Sequence, residues 1–268
     1  MKTWTGQETV EEGDAAMRTT AGCMALLLAL YVVVTPAPAD WDPGDPVKMH
    51  VAQLPDPNGW DVTCAGLKSL ADDWQCTRTG PVSQIHVWFS SNGDASFQLD
   101  SVLAVILADG PSVPFNMPGD VLWHVEFPSS SFTVRQYGTG NQGWYNPYSE
   151  QYVRDDHSVI WQVNVEDIVD PFIQQEDKVY WLGLNLSVSG ETAGLGWKTS
   201  QDHFGNNAVR FAVNIADPDP ATDWFPLYDP IDAEPLDLEF VITDVPEPAS
   251  MGLLGLGTLA LIRLRRRR

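Results

Sequence analysis

Basic residues and cysteine are both scarce in this chain. Its 268 residues include 15 lysines and arginines against 36 aspartates and glutamates, so the formal net charge at pH 7 is −21. Proteins that bind nucleic acid or anionic membrane surfaces use basic patches to neutralise phosphate charge. The composition therefore argues against nucleic acid as a partner and is typical of a secreted protein.

Sequence motifs of catalysis are also missing. None of the five histidines stands in the His-x-x-x-His or His-Glu-x-x-His spacing of a zinc site. No Gly-x-Ser-x-Gly nucleophile elbow, phosphate-binding P-loop or dinucleotide-binding fingerprint occurs. We therefore expect a protein that is not an enzyme. Residues 155–157 and 202–203, which combine aspartate with histidine on predicted loops, are the better candidates for metal or acid–base roles.

A secreted polysaccharide hydrolase is the weaker alternative. Glycosidases use two carboxyl groups held about 5–10 Å apart on either side of the scissile bond. A sequence cannot supply that separation, so the glutamates can only be named as candidates. They are Glu126, Glu150, Glu166 and Glu191.

Residues 1–39 form a predicted leader that contains a signal peptide. Its first residues are polar and acidic, which is unlike the front of a signal peptide, so Met17 is the expected start. An arginine, an apolar segment over residues 24–34 and an Ala-Pro-Ala cleavage site ending at Ala39 follow in signal-peptide order. Cleavage there leaves residues 40–244 as the predicted domain.

The C-terminal segment, residues 245–268, has three parts in a fixed order. Pro246, Glu247 and Pro248 come first, an apolar run over residues 249–262 follows, and the end is rich in arginine. This segment resembles the PEP-CTERM sorting signal of Gram-negative bacteria that make exopolysaccharide. The resemblance implies export, a C-terminal helix that stays transiently in the inner membrane, and recognition by an exosortase-type enzyme near the three motif residues. The expected destination is the cell surface or the extracellular matrix.

Two cysteines remain in the domain once the leader is removed, Cys64 and Cys76. An even number of cysteines in an exported chain is typical of disulfides, because the compartment is oxidising. A metal site is the alternative, but no further cysteine or histidine cluster lies near either residue. We therefore predict a disulfide between Cys64 and Cys76.

Runs rich in β-branched and aromatic residues recur along the domain, separated by clusters of glycine, proline, asparagine and aspartate. This pattern, without a repeat of solenoid period, is typical of a β-sandwich. We predict an all-β fold, a single jelly-roll-like sandwich over residues 40–244, with a short helix at residues 166–175. The predicted strands cover residues 85–89, 97–107, 121–127, 132–137, 159–165, 179–188, 194–198, 209–215 and 236–242.

Seven stretches of the domain carry a further resemblance. They are Gln53-Leu54-Pro55, Leu70-Ala71-Asp72-Asp73-Trp74-Gln75-Cys76, Gly80-Pro81, Ile85-His86-Val87-Trp88, Gly143-Trp144-Tyr145, Tyr180-Trp181-Leu182 and Gly196-Trp197-Lys198-Thr199-Ser200. Together they resemble a domain of unknown function that is common in exported PEP-CTERM proteins of environmental bacteria. The resemblance covers most of residues 47–242. It implies an extracellular β-rich module and brings no assigned reaction.

Three aromatic residues are candidates for sugar binding. Trp144, Tyr145 and Tyr148 lie in a predicted loop that is rich in glycine and asparagine. Exposed aromatic faces can stack on sugar rings, whereas tryptophans within strands normally fill the core. The leading hypothesis is a non-enzymatic surface or matrix protein associated with exopolysaccharide, and a carbohydrate-binding module is the alternative.

Acidic turns near the end of the domain are candidate calcium sites. Asp217, Asp219 and Asp223 lie close together in sequence, and calcium takes about six to eight oxygen ligands. Their spacing departs from that of an EF-hand loop. Calcium is the one cofactor that the sequence leaves open, and no other is expected.

Overall fold

The computed structural model describes residues 40–111, 115–189, 194–211 and 224–244. The predicted leader and the motif residues Pro246, Glu247 and Pro248 lie outside these ranges. The candidate calcium ligands Asp217, Asp219 and Asp223 and the candidate glutamate Glu191 also lie outside them. Among the described residues, no helix has the length and apolar character that a membrane crossing requires.

The described chain is all-β, as the sequence predicts. Each of the nine predicted strands overlaps an observed strand. The two longest observed strands have 15 residues each. The strands are β1 (Trp60–Thr63), β2 (Ser69–Gln75), β3 (Gly80–Pro81), β4 (Gln84–Ser91), β5 (Leu99–Gly110), β6 (Met117–Pro128), β7 (Phe132–Asn146), β8 (Gln151–Val165), β9 (Ile173–Gln174), β10 (Val179–Val188), β11 (Leu195–Ser200), β12 (Val209–Phe211), β13 (Trp224–Pro226), β14 (Asp237–Leu238) and β15 (Phe240–Thr243).

Two large sheets make up the domain. The first has the order β14-β11-β1-β7-β8-β4-β15, and β11 also pairs with β4, so β11, β1, β7, β8 and β4 form a closed ring. The second has the order β13-β12-β2-β10-β5-β6, and β3 and β9 form a separate two-stranded ribbon. The arrangement is therefore barrel-like on one side and sandwich-like overall. The closed ring and the parallel pairing of β1 with β7 depart from the antiparallel jelly roll of the prediction.

The hydrophobic core fills the space between the two sheets. Trp74 of the second sheet and Trp197 of the first are both buried, and each places its ring centroid about 6 Å from that of Phe240. Large rings of this kind supply most of the apolar area that a sandwich buries. Alternate residues of a strand point to opposite faces of the sheet. In the first sheet, the residues that alternate with the core residues therefore point away from the core, to the other face of the ring.

Cys64 and Cys76 are free thiols, so the predicted disulfide is wrong. The Cys64 carbonyl accepts a hydrogen bond from the Leu186 N–H, whereas the Cys76 N–H donates to the carbonyl of Lys178. Lys178 directly precedes β10 and Leu186 lies near its other end, and a strand rises about 3.3 Å per residue. The two cysteines are therefore far beyond the Cα separation of about 7 Å that a disulfide can bridge.

A reducing agent should consequently leave the stability of the domain unchanged. Both thiols are buried, and burial raises the pKa of Cys64 to about 12, so neither side chain is a reactive thiolate. We expect the same melting temperature with and without dithiothreitol, and two titratable thiols per mature chain in denaturant. A melting temperature that falls by several degrees in the reductant would contradict the structure.

The predicted loops around residues 138–147 and 155–157 are strands in the structure. Both lie in the β7–β8 hairpin, whose register shifts at three places between Gln136 and Trp144. Such bulges absorb extra residues without ending a strand. Glycine at position 143 also lets the ring of Trp60 pack directly against the backbone of β7. A composition that suggests a loop therefore serves close packing between strands.

The predicted helix at residues 166–175 is also absent. In its place the chain turns and forms the short strand β9. Asp167 and Asp170 both adopt positive φ angles, 48° and 53°, which a right-handed helix does not allow. Pro171 follows directly and removes a further backbone donor.

Candidate functional site

Polar side chains line the concave inner face of the five-stranded ring. His157 of β8 reaches Asp61 of β1 although β7 lies between their strands, with 2.8 Å from Nε2 to Oδ2. Ser90 of β4 likewise reaches Gln142 of β7 across β8, with 3.0 Å from Oγ to Oε1. Side chains can meet across an intervening strand only where the sheet curves toward them. These residues therefore occupy the inside of the ring.

Four ionisable side chains form what we call the buried charge cluster: Asp61, His157, Lys198 and Glu239. The Lys198 ammonium lies 3.1 Å from Oδ2 of Asp61, and neither side chain is exposed to solvent. Desolvation lowers the pKa of His157, but hydrogen bonds to Asp61 and Asp156 outweigh it, so its pKa is raised overall. Two side-chain nitrogens, of His157 and of Lys198, thus converge on one carboxylate oxygen inside the protein.

Glu239 lies at the seam where the ring closes. β4 pairs with β15 up to Val87 and with β11 from Phe89, which leaves the Trp88 N–H without a strand partner. Oε1 of Glu239 accepts that N–H at 3.0 Å, and Oε2 has no hydrogen-bond partner among the described residues. Burial and the nearby Asp61 carboxylate raise the pKa of Glu239 well above its usual range, which favours the uncharged acid.

A polar cleft of about 670 Å³ opens beside the ring. It presents groups that donate or accept hydrogen bonds, and Arg154 has no side-chain hydrogen bond or ion pair with another described residue. The buried ring of Trp60 forms its floor, with Nε1 donating to Asp229 at 2.7 Å and Tyr152 packed edge-on at 5.7 Å between centroids. Further lining residues include Asp56, Asn58, Asn141, Asp155, Gln201, His203 and Asp232.

The cleft has more negative than positive groups. Its lining includes four aspartates, Asp56, Asp155, Asp229 and Asp232, but only one arginine and one histidine. Among the described residues, no three acidic, histidine or cysteine side chains are grouped as a metal site requires. The arrangement is suited to the hydroxyl groups of a neutral ligand and disfavours a polyanion.

Two family models match the chain. One describes a Domain of unknown function (DUF7901) and matches residues 49–243; the other describes the PEP-CTERM protein-sorting motif and matches residues 244–268. The chain belongs to the DUF7901 family. No curated protein matches it, and no solved structure does.

The sorting motif places the DUF7901 domain outside the cytoplasm. The match spans Pro246, Glu247 and Pro248 and shows that the protein is exported and sorted by an exosortase-type membrane enzyme. The predicted PEP-CTERM identity and the predicted domain of unknown function are therefore both confirmed.

The three candidate stacking residues do not share one surface. Trp144 lies within β7, where its ring covers Gly196 and lies 6.2 Å from the His157 ring. Tyr145 points to the opposite face and packs edge-on against Trp60, with 6.4 Å between centroids. The Tyr148 hydroxyl donates to the Ser69 carbonyl, and its ring lies under a guanidinium group. All three rings are only partly exposed, so a joint stacking platform finds no support in this geometry.

The candidate glutamates are likewise dispersed. Glu126 accepts a hydrogen bond from Ser101 in the second sheet, whereas Glu166 follows β8 in the first sheet and accepts one from Gln84. Burial raises the pKa of Glu166 to about 7, but its neighbour in sequence is Asp167 and not another candidate glutamate. Glu150 lies on the turn between β7 and β8.

Sequence reasoning missed Asp61, Lys198 and Glu239. Asp61 and Lys198 each interrupt a run of strand residues with a charge, and that interruption was the available signal. Asp155 and His203 of the cleft were named as candidates, but most of the other lining residues were missed, because the lining comes from five separate parts of the chain. His157 was named as a candidate, and the structure moves it from a loop to the inside of the ring.

Proposed function

We propose that this protein is a non-enzymatic surface or matrix protein whose domain binds a neutral extracellular polysaccharide in the polar cleft. The observation that carries the proposal is the cleft itself, with its lining of amides and carboxylates and with Arg154, whose side chain bonds no other residue of the described ranges. Sugar hydroxyls both donate and accept hydrogen bonds, so a lining of mixed polarity suits them. Export by way of an exosortase-type enzyme brings the domain to where such polymers occur.

The charge of the cleft narrows the class of ligand. Its aspartates outnumber its basic residues, and the chain as a whole is strongly acidic. Uronic-acid or sulfated polymers are negatively charged, so the acidic protein would repel them. Neutral hexose or N-acetylhexosamine polymers meet no such repulsion and are the ligands we expect.

Replacing Arg154 by alanine should weaken binding without affecting the fold. Its side chain is exposed and makes no described polar contact, so the melting temperature should change by less than about 2 °C. The loss of one charge-assisted hydrogen bond should raise the Kd for a neutral glycan about 10-fold. Isothermal titration against neutral and acidic polysaccharides measures both effects.

Lys178→Ala is the matched control, because Lys178 is equally exposed, carries the same charge and lies outside the cleft lining. It should bind as the unchanged protein does. If the Arg154→Ala variant bound the glycan as tightly as the unchanged protein does, the cleft would not be the binding site. Shortening of the glycan during the titration, measured by size-exclusion chromatography, would show that the protein is an enzyme.

A further inference from the structure

Lys198 and Asp61 face each other directly inside the ring. They are opposite partners in the antiparallel pairing of β1 with β11. The Lys198 nitrogen lies 3.1 Å from Oδ2 of Asp61, and both side chains have no solvent exposure. Oδ1 of Asp61 is buried without a hydrogen-bond partner among the described residues. An amine and a carboxyl group are thus held within contact distance where water does not compete.

A second carboxyl group lies beside this pair. The Glu239 N–H donates to the Lys198 carbonyl at 3.0 Å, which fixes the glutamate next to the lysine. Its side chain is fully buried, and Oε2 has no partner among the described residues. Burial raises the pKa of Glu239, which favours its protonated form. His157 adds a donor to the same Asp61 oxygen that faces Lys198.

The surroundings are dry and rigid. The Trp144 ring covers the inner face of β11 so closely that a Cβ atom at Gly196 would lie 3.0 Å from it. The backbones of β1 and β11 hold the two reacting side chains in register. Groups held in contact in this way react as if at very high local concentration, because the entropy of bringing them together is already lost on folding.

We propose that Lys198 and Asp61 join in an intramolecular isopeptide bond, and that the neighbouring buried carboxyl group of Glu239 assists the proton transfers. The lysine nitrogen forms one bond to the Asp61 side-chain carbonyl carbon, and the bond from that carbon to Oδ2 breaks. The lysine ammonium group gives up two protons, and Oδ2 takes two protons and leaves as water. Charge and atoms balance, and no oxidant or further reactant is needed.

The bond gives an exported protein a covalent closure that its free cysteines do not supply. It links two residues that are 137 positions apart in sequence, in strands β1 and β11 of the closed ring. A cross-link over such a length strongly restricts the unfolded chain. It also removes two charges from the interior, where an unpaired charge is costly.

Peptide mass spectrometry of the mature protein, purified from its host, tests the proposal. Trypsin should release one branched species in which residues 49–68 are joined to residues 179–210, because the modified Lys198 is no longer cleaved. Its mass should be the sum of the two peptides less one water. Fragmentation should place the branch at Asp61 and Lys198.

Two variants separate the cross-link from a simple ion pair. Lys198→Arg keeps the charge but cannot form the amide, and should give only the separate peptides. Glu239→Gln should slow formation of the branched species about 100-fold or more, because a general acid–base group is lost. Folding of each variant is checked by circular dichroism before digestion.

Separate peptides 49–68 and 179–198 as the only products from the folded, unchanged protein would overturn the proposal and leave an ion pair. A branched species at other residues would also overturn it. Full conversion of the Glu239→Gln variant at an unchanged rate would contradict the role given to Glu239.

Discussion

Replacing Asp61 by alanine should destabilise the domain by about 3–5 kcal/mol, because it leaves buried positive charge without its partner. Lys198 and His157 both contact the Asp61 carboxylate, and none of the three side chains is solvent-exposed. For a domain of this size such a loss lowers the melting temperature by roughly 10 °C. The measurement is thermal unfolding followed by circular dichroism.

Asp120→Ala is the control for this variant. Asp120 is exposed on β6 and accepts no described side-chain hydrogen bond, so its removal should change stability by less than about 0.5 kcal/mol. If Asp61→Ala melted within 2 °C of Asp120→Ala, the buried charge cluster would not have the geometry described above. The result would then undermine the isopeptide proposal as well.

Stability should fall as the pH rises from about 6.5 to 8.5. Burial raises the pKa of Asp73 and of Glu166 to about 7, and it raises the pKa of Asp72 and of Glu239 well above the usual range of carboxyl groups. Their folded forms therefore keep protons that the unfolded chain, with pKa values near 4, has already released. A state that binds more protons is favoured at low pH, so the folded state loses stability as pH rises.

The histidines fix the lower limit of this pH window. Burial lowers the pKa of His50 and of His86 to about 4, so both destabilise the folded state only below about pH 6.5. His157 has a raised pKa, and its contribution is lost as pH rises above 6.5. Above pH 6.5, the buried carboxyl groups and His157 therefore all reduce the stability of the folded state as the pH rises.

Each carboxyl group that stays protonated in the folded state contributes up to about 1.4 kcal/mol per pH unit. We expect the melting temperature to fall by about 5 °C or more between pH 6.5 and pH 8.5. Glu239→Gln should flatten this slope, because glutamine does not titrate, whereas Asp120→Asn should leave it unchanged. A melting temperature that rises over the same interval would contradict the buried, protonated state of these groups.

The strands rich in β-branched and aromatic residues could be predicted from the sequence, whereas β1 and β2, which bury aspartates, could not. Residues 85–89 and 179–188 fall inside β4 and β10 because their β-branched and aromatic residues give an unbroken signal. β2 was missed, since Asp72 and Asp73 lie at its centre and aspartate is rare in strands. Both carboxylates are buried and accept hydrogen bonds, which a local pattern does not reveal.

The predicted disulfide failed for a related reason. Cys64 and Cys76 are close in sequence, but β2 separates them as an extended strand. The candidate site could not be predicted from local sequence patterns, because its residues are far apart in the chain. Asp61 lies 96 residues from His157 and 137 from Lys198. The pairing of β1 with β11 brings Asp61 to Lys198, and the curvature of the ring brings His157 to Asp61.

Affinity electrophoresis tests the central claim most directly. The mature protein and its Arg154→Ala and Lys178→Ala variants would be run through native gels cast with and without the exopolysaccharide of the host. The proposal predicts that the polysaccharide retards the unchanged protein and the Lys178→Ala variant, and that the Arg154→Ala variant runs nearly as in the empty gel. Equal mobility of all three proteins in both gels would contradict polysaccharide binding by this domain.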